Sequence, residues 1–271
     1  MLRWICVVLS VLLLSLLLLP MARAMPFAQG GLESTGALSF LWDPGMGKYG
    51  FLLSLFGSLL LVLLSLPGSV ALAWGIAYQL TRTPAARLRG TVLAILQAAN
   101  SVPSVVIGIW GIDQLVPFVR TIKGTGYCLI TCMVALTVLS LPTTVLLLKQ
   151  AYREYLVVFE GLERSLGFGW WESTRYFLRT AREQLWQIWL YTFCRLFGET
   201  TVVLMLSGNS LVRPDGLFKG FRTLTSSIAL EMAYATGRHE HALYALATLS
   251  IFCLAAVATL GKRRRAEAAP P

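Results

Sequence analysis

The sequence predicts an all-α, polytopic membrane protein with about six transmembrane helices, and three observations carry that prediction. Of the 271 residues, 56% are hydrophobic and only 13% are charged, well below the roughly 25% charged usage of soluble domains. Apolar residues gather into long runs, and about 20 consecutive apolar residues suffice for one crossing. Of the 23 Lys and Arg residues, 22 fall in short clusters between those runs. The net charge of +10 therefore reads as membrane topology. Nucleic-acid binding is not indicated, because no aromatic-interleaved basic stripe accompanies the charge.

In order along the chain, the expected spans lie near Trp4–Leu19, Gly50–Gln79, Val92–Val119, Cys128–Leu148, Leu185–Leu206 and Ala242–Leu260. The first has a basic start, a leucine-rich core and the triplet Ala22-Arg23-Ala24, features shared with a cleavable signal peptide; its longer core and the arginine in the triplet favour an uncleaved helix. Residues 1–49 then form a first transmembrane helix plus a periplasmic segment, 50–260 the main transmembrane domain, and 261–271 a cytoplasmic tail. The second and third spans exceed one straight crossing, so tilt, or a bend at Pro67 and Pro103, is expected. With the N-terminus inside, 14 Lys and Arg fall on the cytoplasmic side against 8 outside, which places both termini in the cytoplasm of a multi-pass inner-membrane protein.

Five cysteines, Cys6, Cys128, Cys132, Cys194 and Cys253, all sit within apolar runs and read as small hydrophobes rather than a disulfide framework. Cys128 and Cys132 have helical spacing but lack the further His or carboxylate ligands of a metal site. Asp113, Glu231 and the Arg238, His239, Glu240, His241 cluster fall near span ends and read as solvated helix termini. No metal site is expected.

The loop 149–184 reads as a short amphipathic helix-turn-helix outside the membrane. Leu156, Phe159, Leu162, Leu166, Trp170 and Phe177 recur at spacings that fit one buried face, broken at Gly167-Phe168-Gly169. Gly167 can take φ > 0 and make a sharp joint; an ordinary helix-ending glycine would look the same. Trp170, Trp171 and Phe177 offer apolar area to a partner groove, and an interfacial aromatic belt would use the same residues.

Within the fifth span, Arg195 and Glu199 stand four residues apart. Each costs roughly 2.5–3.5 kcal/mol near a bilayer midplane, so such groups survive where they face a bundle interior, a pathway or each other. Two readings follow: a self-neutralised pair on one helix face, or a gate or anion sensor. Thr200, Thr201, Ser207 and Asn209 extend a polar line from the pair. In the third span, Pro103 removes a helix hydrogen bond, and Ser101, Ser104 and Gly108 supply small, partly polar surface. Arginine suits an oxyanion because its planar fork donates two hydrogen bonds at once.

The loop run GLERSLGFGWWESTRYFLRTA resembles the EAA loop of bacterial ABC-importer permeases, with Gly167 at the loop glycine. FLWDPGMGKYGFLLSLFGSLLLVLLSLP, NSVPSVVIGIWG, RLFGETTVVLMLSGN and TLTSSIALEM narrow the resemblance to phosphate-transport permeases of the C type, over Phe40 to Leu260. The loop departs from the pattern where Glu160, Gly161, Leu162 and Glu163 stand around the usual Glu-Ala-Ala, and Leu178-Arg179 replaces a closing Leu-Pro. The resemblance implies a type I ABC-importer permease fold. It implies an ATPase-coupling loop comprising Glu160, Gly161, Leu162, Glu163, Leu166, Gly167, Trp170 and Trp171, and a translocation pathway through Arg195, Glu199, Thr200, Asn209, Ser101 and Ser104. It also implies partners: two ATP-binding cassette subunits that carry ATP and Mg, a second related permease of the A type or a second copy of this chain, a periplasmic substrate-binding protein, and membrane lipid. No cofactor is expected in this chain.

No GxxxxGK[ST] phosphate loop occurs, so the chain is not expected to be an enzyme, and ATP hydrolysis would belong to other subunits. An intramembrane enzyme is disfavoured because the two histidines, His239 and His241, stand at a span edge with no nucleophile and base at working spacing. An ion-coupled transporter would call for internal repeats and several intramembrane carboxylates. Phosphate is the expected cargo, with sulfate, molybdate, tungstate or phosphonate sharing the architecture.

Overall fold

The computed structural model describes residues 39–268, with side chains to residue 259; the expected first span, Trp4–Leu19, lies outside them. A two-stranded antiparallel hairpin comes first, β1 (Trp42–Asp43) against β2 (Lys48–Tyr49), with Trp42 opposite Tyr49. Its tight turn forms because the Asp43 carboxylate accepts from the Met46 amide at 3.2 Å and Gly47 takes φ 65°. This pair is a small addition to an otherwise all-α chain.

Helix α1 (Leu52–Arg82) carries through Pro67 without interruption. The expected third span is instead two helices, α2 (Ala86–Asn100) and α3 (Ser104–Ile122, containing one π-helical turn at Gly111–Leu115). Pro103 breaks the run outright rather than bending it. Its own ψ of 140° is extended, and its ring bars the helical region to Val102 before it.

Helix α4 (Leu129–Leu166) is a single 38-residue rod through Pro142. Residues 129–148 match the expected fourth span, and the remainder projects into the loop region. Helix α5 (Trp170–Thr180) follows, then α6 (Arg182–Phe197) and α7 (Thr201–Leu206), so the expected fifth span is also interrupted, at Gly198-Glu199-Thr200. Helices α8 (Leu224–Glu231) and α9 (Arg238–Ala268) complete the described chain. Four helical stretches, Leu52–Arg82, Ser104–Ile122, Leu129–Leu166 and Arg238–Thr259, are long and apolar enough to cross a membrane. Of the six expected spans, the fifth falls on the interrupted α6–α7 pair and the first lies outside the described residues.

Helices α1 and α4 form the most extensive pair, and α6 packs on both and on α9. The core divides into two clusters. One, toward the hairpin, includes Leu61, Leu66, Leu136, Leu196, Leu206 and Phe221. The other, toward Arg82, includes Ala73, Ala77, Val145, Tyr152, Tyr155 and Phe177. Between them runs a buried hydroxyl seam in which Ser69 meets Ser140 at 2.7 Å and Thr144 meets Thr192 at 3.5 Å. Small hydroxyl residues allow close helix approach, and most of these satisfy themselves on a carbonyl of their own helix, as Ser65 does on Leu61, Thr144 on Ser140 and Thr192 on Ile188.

Candidate functional site

Arg195 and Glu199 do not meet. Gly198 closes α6, and the chain turns so that the Glu199 carboxylate accepts from the amides of Thr201 at 3.1 Å and Val202 at 3.3 Å. It caps the start of α7, satisfying two orphan donors and placing a negative charge at the positive helix end. Arg195 is left behind on the last turn of α6, half-buried. Its Nε is buried with no hydrogen-bond partner, and the side chain has no ion pair among the described residues. The self-neutralised pair that the four-residue spacing allows is therefore absent, because that spacing presumes an unbroken helix.

The other expected pathway residues divide between structural and open roles. Asn209, in the left-handed region at φ 47°, donates from Nδ2 to the Leu204 carbonyl at 2.8 Å and accepts from Ser207 at 3.0 Å, finishing α7. Thr200 Oγ1 lies 3.4 Å from the Gly198 carbonyl across the interruption. Thr225 on α8 donates to the Glu199 carbonyl at 3.2 Å and ties the interruption down. Ser101 is exposed and donates to Gln97 at 3.3 Å; Ser104 is half-buried at the start of α3. No hydrogen bond joins Ser101 or Ser104 to Arg195 or Glu199 among the described residues.

What connects the two interruptions is packing between the helices that follow them. A Cβ on Gly108 would lie 2.4 Å from Met205 Sδ, and one on Gly111 2.6 Å from Leu206 Cδ1, so the two glycines let α3 and α7 approach closely, and a larger residue at either would displace the Met205 or Leu206 side chain.

At the Arg82 end, α4, Gly167 and α5 form an elbow. Gly167 has φ 64° with open space where a Cβ would stand, so the backbone conformation, not crowding, demands glycine. The inner side is an aromatic cluster: Phe177 packs on Tyr152 with ring centroids 4.6 Å apart and on Tyr155 at 5.2 Å.

Within this cluster Glu163 is only 4% exposed. Its carboxylate pairs with Arg82 and accepts from Tyr155 at 2.8 Å and Ser173 at 2.5 Å. Arg82 also donates to Ser173 at 2.8 Å and to Tyr152 at 3.1 Å. Burial alone would raise the Glu163 pKa, but the hydrogen bonds from Ser173, Arg82 and Tyr155 together outweigh it and hold the group below the ordinary carboxylate value.

The expected buried face is thus corrected. Phe177 is buried, but Leu162, Leu166, Trp170 and Trp171 are exposed, the last two at 56% and 61%, because α4 continues straight from the span and its inner stripe is Tyr152, Tyr155, Phe159 and Glu163. Glu160 and Gly161 are also outward, Glu160 paired with Arg164 at 2.6 Å. Glu163 is the elbow's internal brace rather than part of its outer surface. Arg82, counted in the sequence only as a topological charge, is the partner that spacing alone could not reveal.

A second buried charge cluster lies near the hairpin, where solvated helix ends were expected. Glu231 is 3% exposed; it pairs with Arg222, accepts from Trp42 Nε1 at 2.9 Å and meets His239 Nε2 at 2.7 Å. The His239 ring stacks on Tyr49 with centroids 5.9 Å apart. The hairpin covers these groups and turns two helix ends into an interior. Substituting Glu231→Gln keeps the shape but leaves Arg222 without its counter-charge, and thermal unfolding in detergent should show a loss of about 2–3 kcal/mol. No group of three or more His, Cys, Asp or Glu suited to a metal occurs among the described residues.

No protein-family model matches the chain. Among curated proteins, the probable ABC transporter permease protein YqgH of Bacillus subtilis is 32% identical over 205 residues, covering 73% of this chain and 66% of that protein. The phosphate transport system permease protein PstC of Pasteurella multocida is 24% identical over 284 residues, covering 91% of this chain and 85% of that one. Among solved structures, an inward-facing conformation of the MetNI methionine ABC transporter aligns with TM-score 0.66 at 20% identity, covering 85% of this chain and all of the matched one; that likeness speaks to fold alone. The breaks before α3 and α7, the Gly167 elbow and these relationships together make the chain a membrane-spanning member of the ABC transporter permease family.

Proposed function

We propose that this chain is the permease subunit through which inorganic phosphate crosses the inner membrane, powered by two separate ATP-binding cassette subunits that carry ATP and Mg. The observation that carries this reading is the elbow: an exposed apolar edge of Leu162, Leu166, Trp170 and Trp171 on a base braced by Glu163 and Arg82. An edge of that kind suits insertion into a groove, with aromatic anchors supplying most of the contact energy. The elbow and both chain termini face the cytoplasm, on the side favoured by Lys and Arg.

Closure of the ATPase pair on ATP moves the elbow and shifts the bundle between outward-open and inward-open states; each state is favoured only as far as its partners bind it differentially. A second permease, an A-type relative or a second copy of this chain, completes the channel, and a periplasmic binding protein delivers the anion. The unpartnered Arg195 guanidinium is suited to a tetrahedral oxyanion. Phosphate in particular is supported by the PstC names of the relatives, and another oxyanion is the second reading.

Co-purification tests the assembly. The ATPase subunit should come down with the wild-type chain and be lost with Trp171→Glu, which places a charge on the exposed edge without touching the core. Retention of the ATPase by Trp171→Glu and by Gly167→Arg would sink the docking assignment. Uptake of radiolabelled phosphate, competed by unlabelled phosphate but not by sulfate or molybdate, tests the cargo.

A further inference from the structure

At the junction of α1, α2 and α4, a cavity of about 370 Å³ opens where the apolar parts of α1 and α4 end. Three cations line it, Arg89 from α2 and Lys149 and Arg153 one turn apart on α4; Leu80, Leu93 and Leu156 supply apolar wall. None of the three cations has an ion pair or a side-chain hydrogen bond among the described residues. No carboxylate lines the cavity, and the adjacent Glu154 is engaged elsewhere, with Gln184 at 2.8 Å and Gln150 at 3.2 Å. Lys149 is half-buried; burial first, and then the charges of Arg153 and Arg89, lower its pKa.

Three like charges are held together around one cavity with no counter-ion among the described residues, an arrangement that favours the entry of an anion. The volume falls within the roughly 300–1,000 Å³ of small-ligand sites. Lys149 directly follows the apolar run that ends at Leu148, which sets the cavity at the level where lipid phosphates lie, and basic pockets between helices at that level bind anionic head groups. The leucine wall gives the glycerol and upper acyl carbons a surface.

We propose that this pocket binds a phosphate group at the cytoplasmic membrane surface, either the phosphodiester of an anionic lipid or free inorganic phosphate. Arg89, Lys149 and Arg153 are its ligands. Occupancy links the α1–α2 turn to α4 on the stretch of α4 that leads to the elbow. The inference does not depend on which solute the permease carries.

The purified full-length chain in detergent is titrated with dihexanoyl phosphatidylglycerol, dihexanoyl phosphatidylcholine or inorganic phosphate while thermal unfolding is followed. A saturable rise in midpoint with phosphatidylglycerol and none with phosphate assigns the lipid head group; a saturable rise with phosphate assigns the free anion. In either case Arg89→Gln weakens the apparent affinity about fivefold, and Lys149→Gln with Arg153→Gln about thirtyfold. Dependence on Arg89 separates this pocket from any phosphate bound near Arg195. If the double variant does not fold, Arg89→Gln, an exposed side chain on a separate helix, carries the comparison. The proposal fails if neither anion raises the wild-type midpoint, if phosphatidylcholine acts equally, or if Arg89→Gln leaves the response unchanged.

Discussion

Replacing Glu163 with alanine should release α5 from α4. The substitution strands the Arg82 guanidinium among Tyr152 and Ser173 without a counter-charge and removes the acceptor of both Tyr155 and Ser173. Because the Arg82 side chain left behind is about one-third exposed, the cost falls below that of breaking a fully buried pair, to about 2 kcal/mol. The unfolding midpoint should fall, and trypsin should cut at Arg175 and Arg179 in folded protein at rates the wild type does not show. Glu163→Gln, which retains acceptors for Tyr155 and Ser173, should lose less.

A pH series gives an independent reading. Because the folded-state pKa of Glu163 is depressed, its contribution is fully present above the ordinary carboxylate value and is lost as pH falls below that value through the depressed one. The midpoint difference between wild type and Glu163→Gln should therefore be constant near neutrality and narrow only in acid. A difference that narrows near neutrality would contradict the brace.

Arg195→Gln should abolish uptake without weakening the fold. A charge-assisted fork to an oxyanion that is lost in a low-dielectric pathway corresponds to about a hundredfold in transport, or about 3 kcal/mol. The folded protein gives the Arg195 Nε no partner, so its removal takes nothing from the bundle, and the unfolding midpoint should hold or rise. Uptake of labelled phosphate, measured beside co-purification of the ATPase, separates the outcomes. Lost uptake with an intact complex supports the pathway role, whereas a fallen midpoint with uptake retained would make Arg195 structural.

The contrast between these two charged positions shows what a linear sequence can and cannot disclose. The Gly167 joint was legible because a left-handed residue between two amphipathic stretches has few alternatives to glycine. The inner side of the elbow was legible too in its spacing: Tyr155, Phe159 and Glu163 stand at successive intervals of four, which places the carboxylate on the aromatic stripe. The expected face was instead drawn through the leucines, because apolar periodicity was weighed and a buried carboxylate was not.

Pro103 announced a disturbance in the third span, but whether a proline bends or severs a helix depends on what holds the freed ends. Here the Asn100 side chain is bonded to Thr143 of α4, and Gly108 and Gly111 seat α3 on α7. Of the two readings left open for Arg195 and Glu199, the paired one required helical spacing to carry across Gly198, where α6 ends. The Glu231 cluster draws Trp42 from 189 residues away, and local pattern holds no trace of a contact at that range.

The unbroken α4 has a mechanical consequence. At about 1.5 Å per residue its 38 residues make a lever about 57 Å long. One arm lies in the apolar bundle; the other ends at the elbow, with no joint between them to absorb a displacement. A tilt of about 5° imposed at Leu166 with that end as pivot carries Leu129 sideways by about 5 Å, close to the 5.4 Å pitch of one helical turn. If α4 turns as one stiff body, the stroke at its far end is the tilt multiplied by the length of the arm, so a small rotation at the elbow suffices for a displacement of one helical turn.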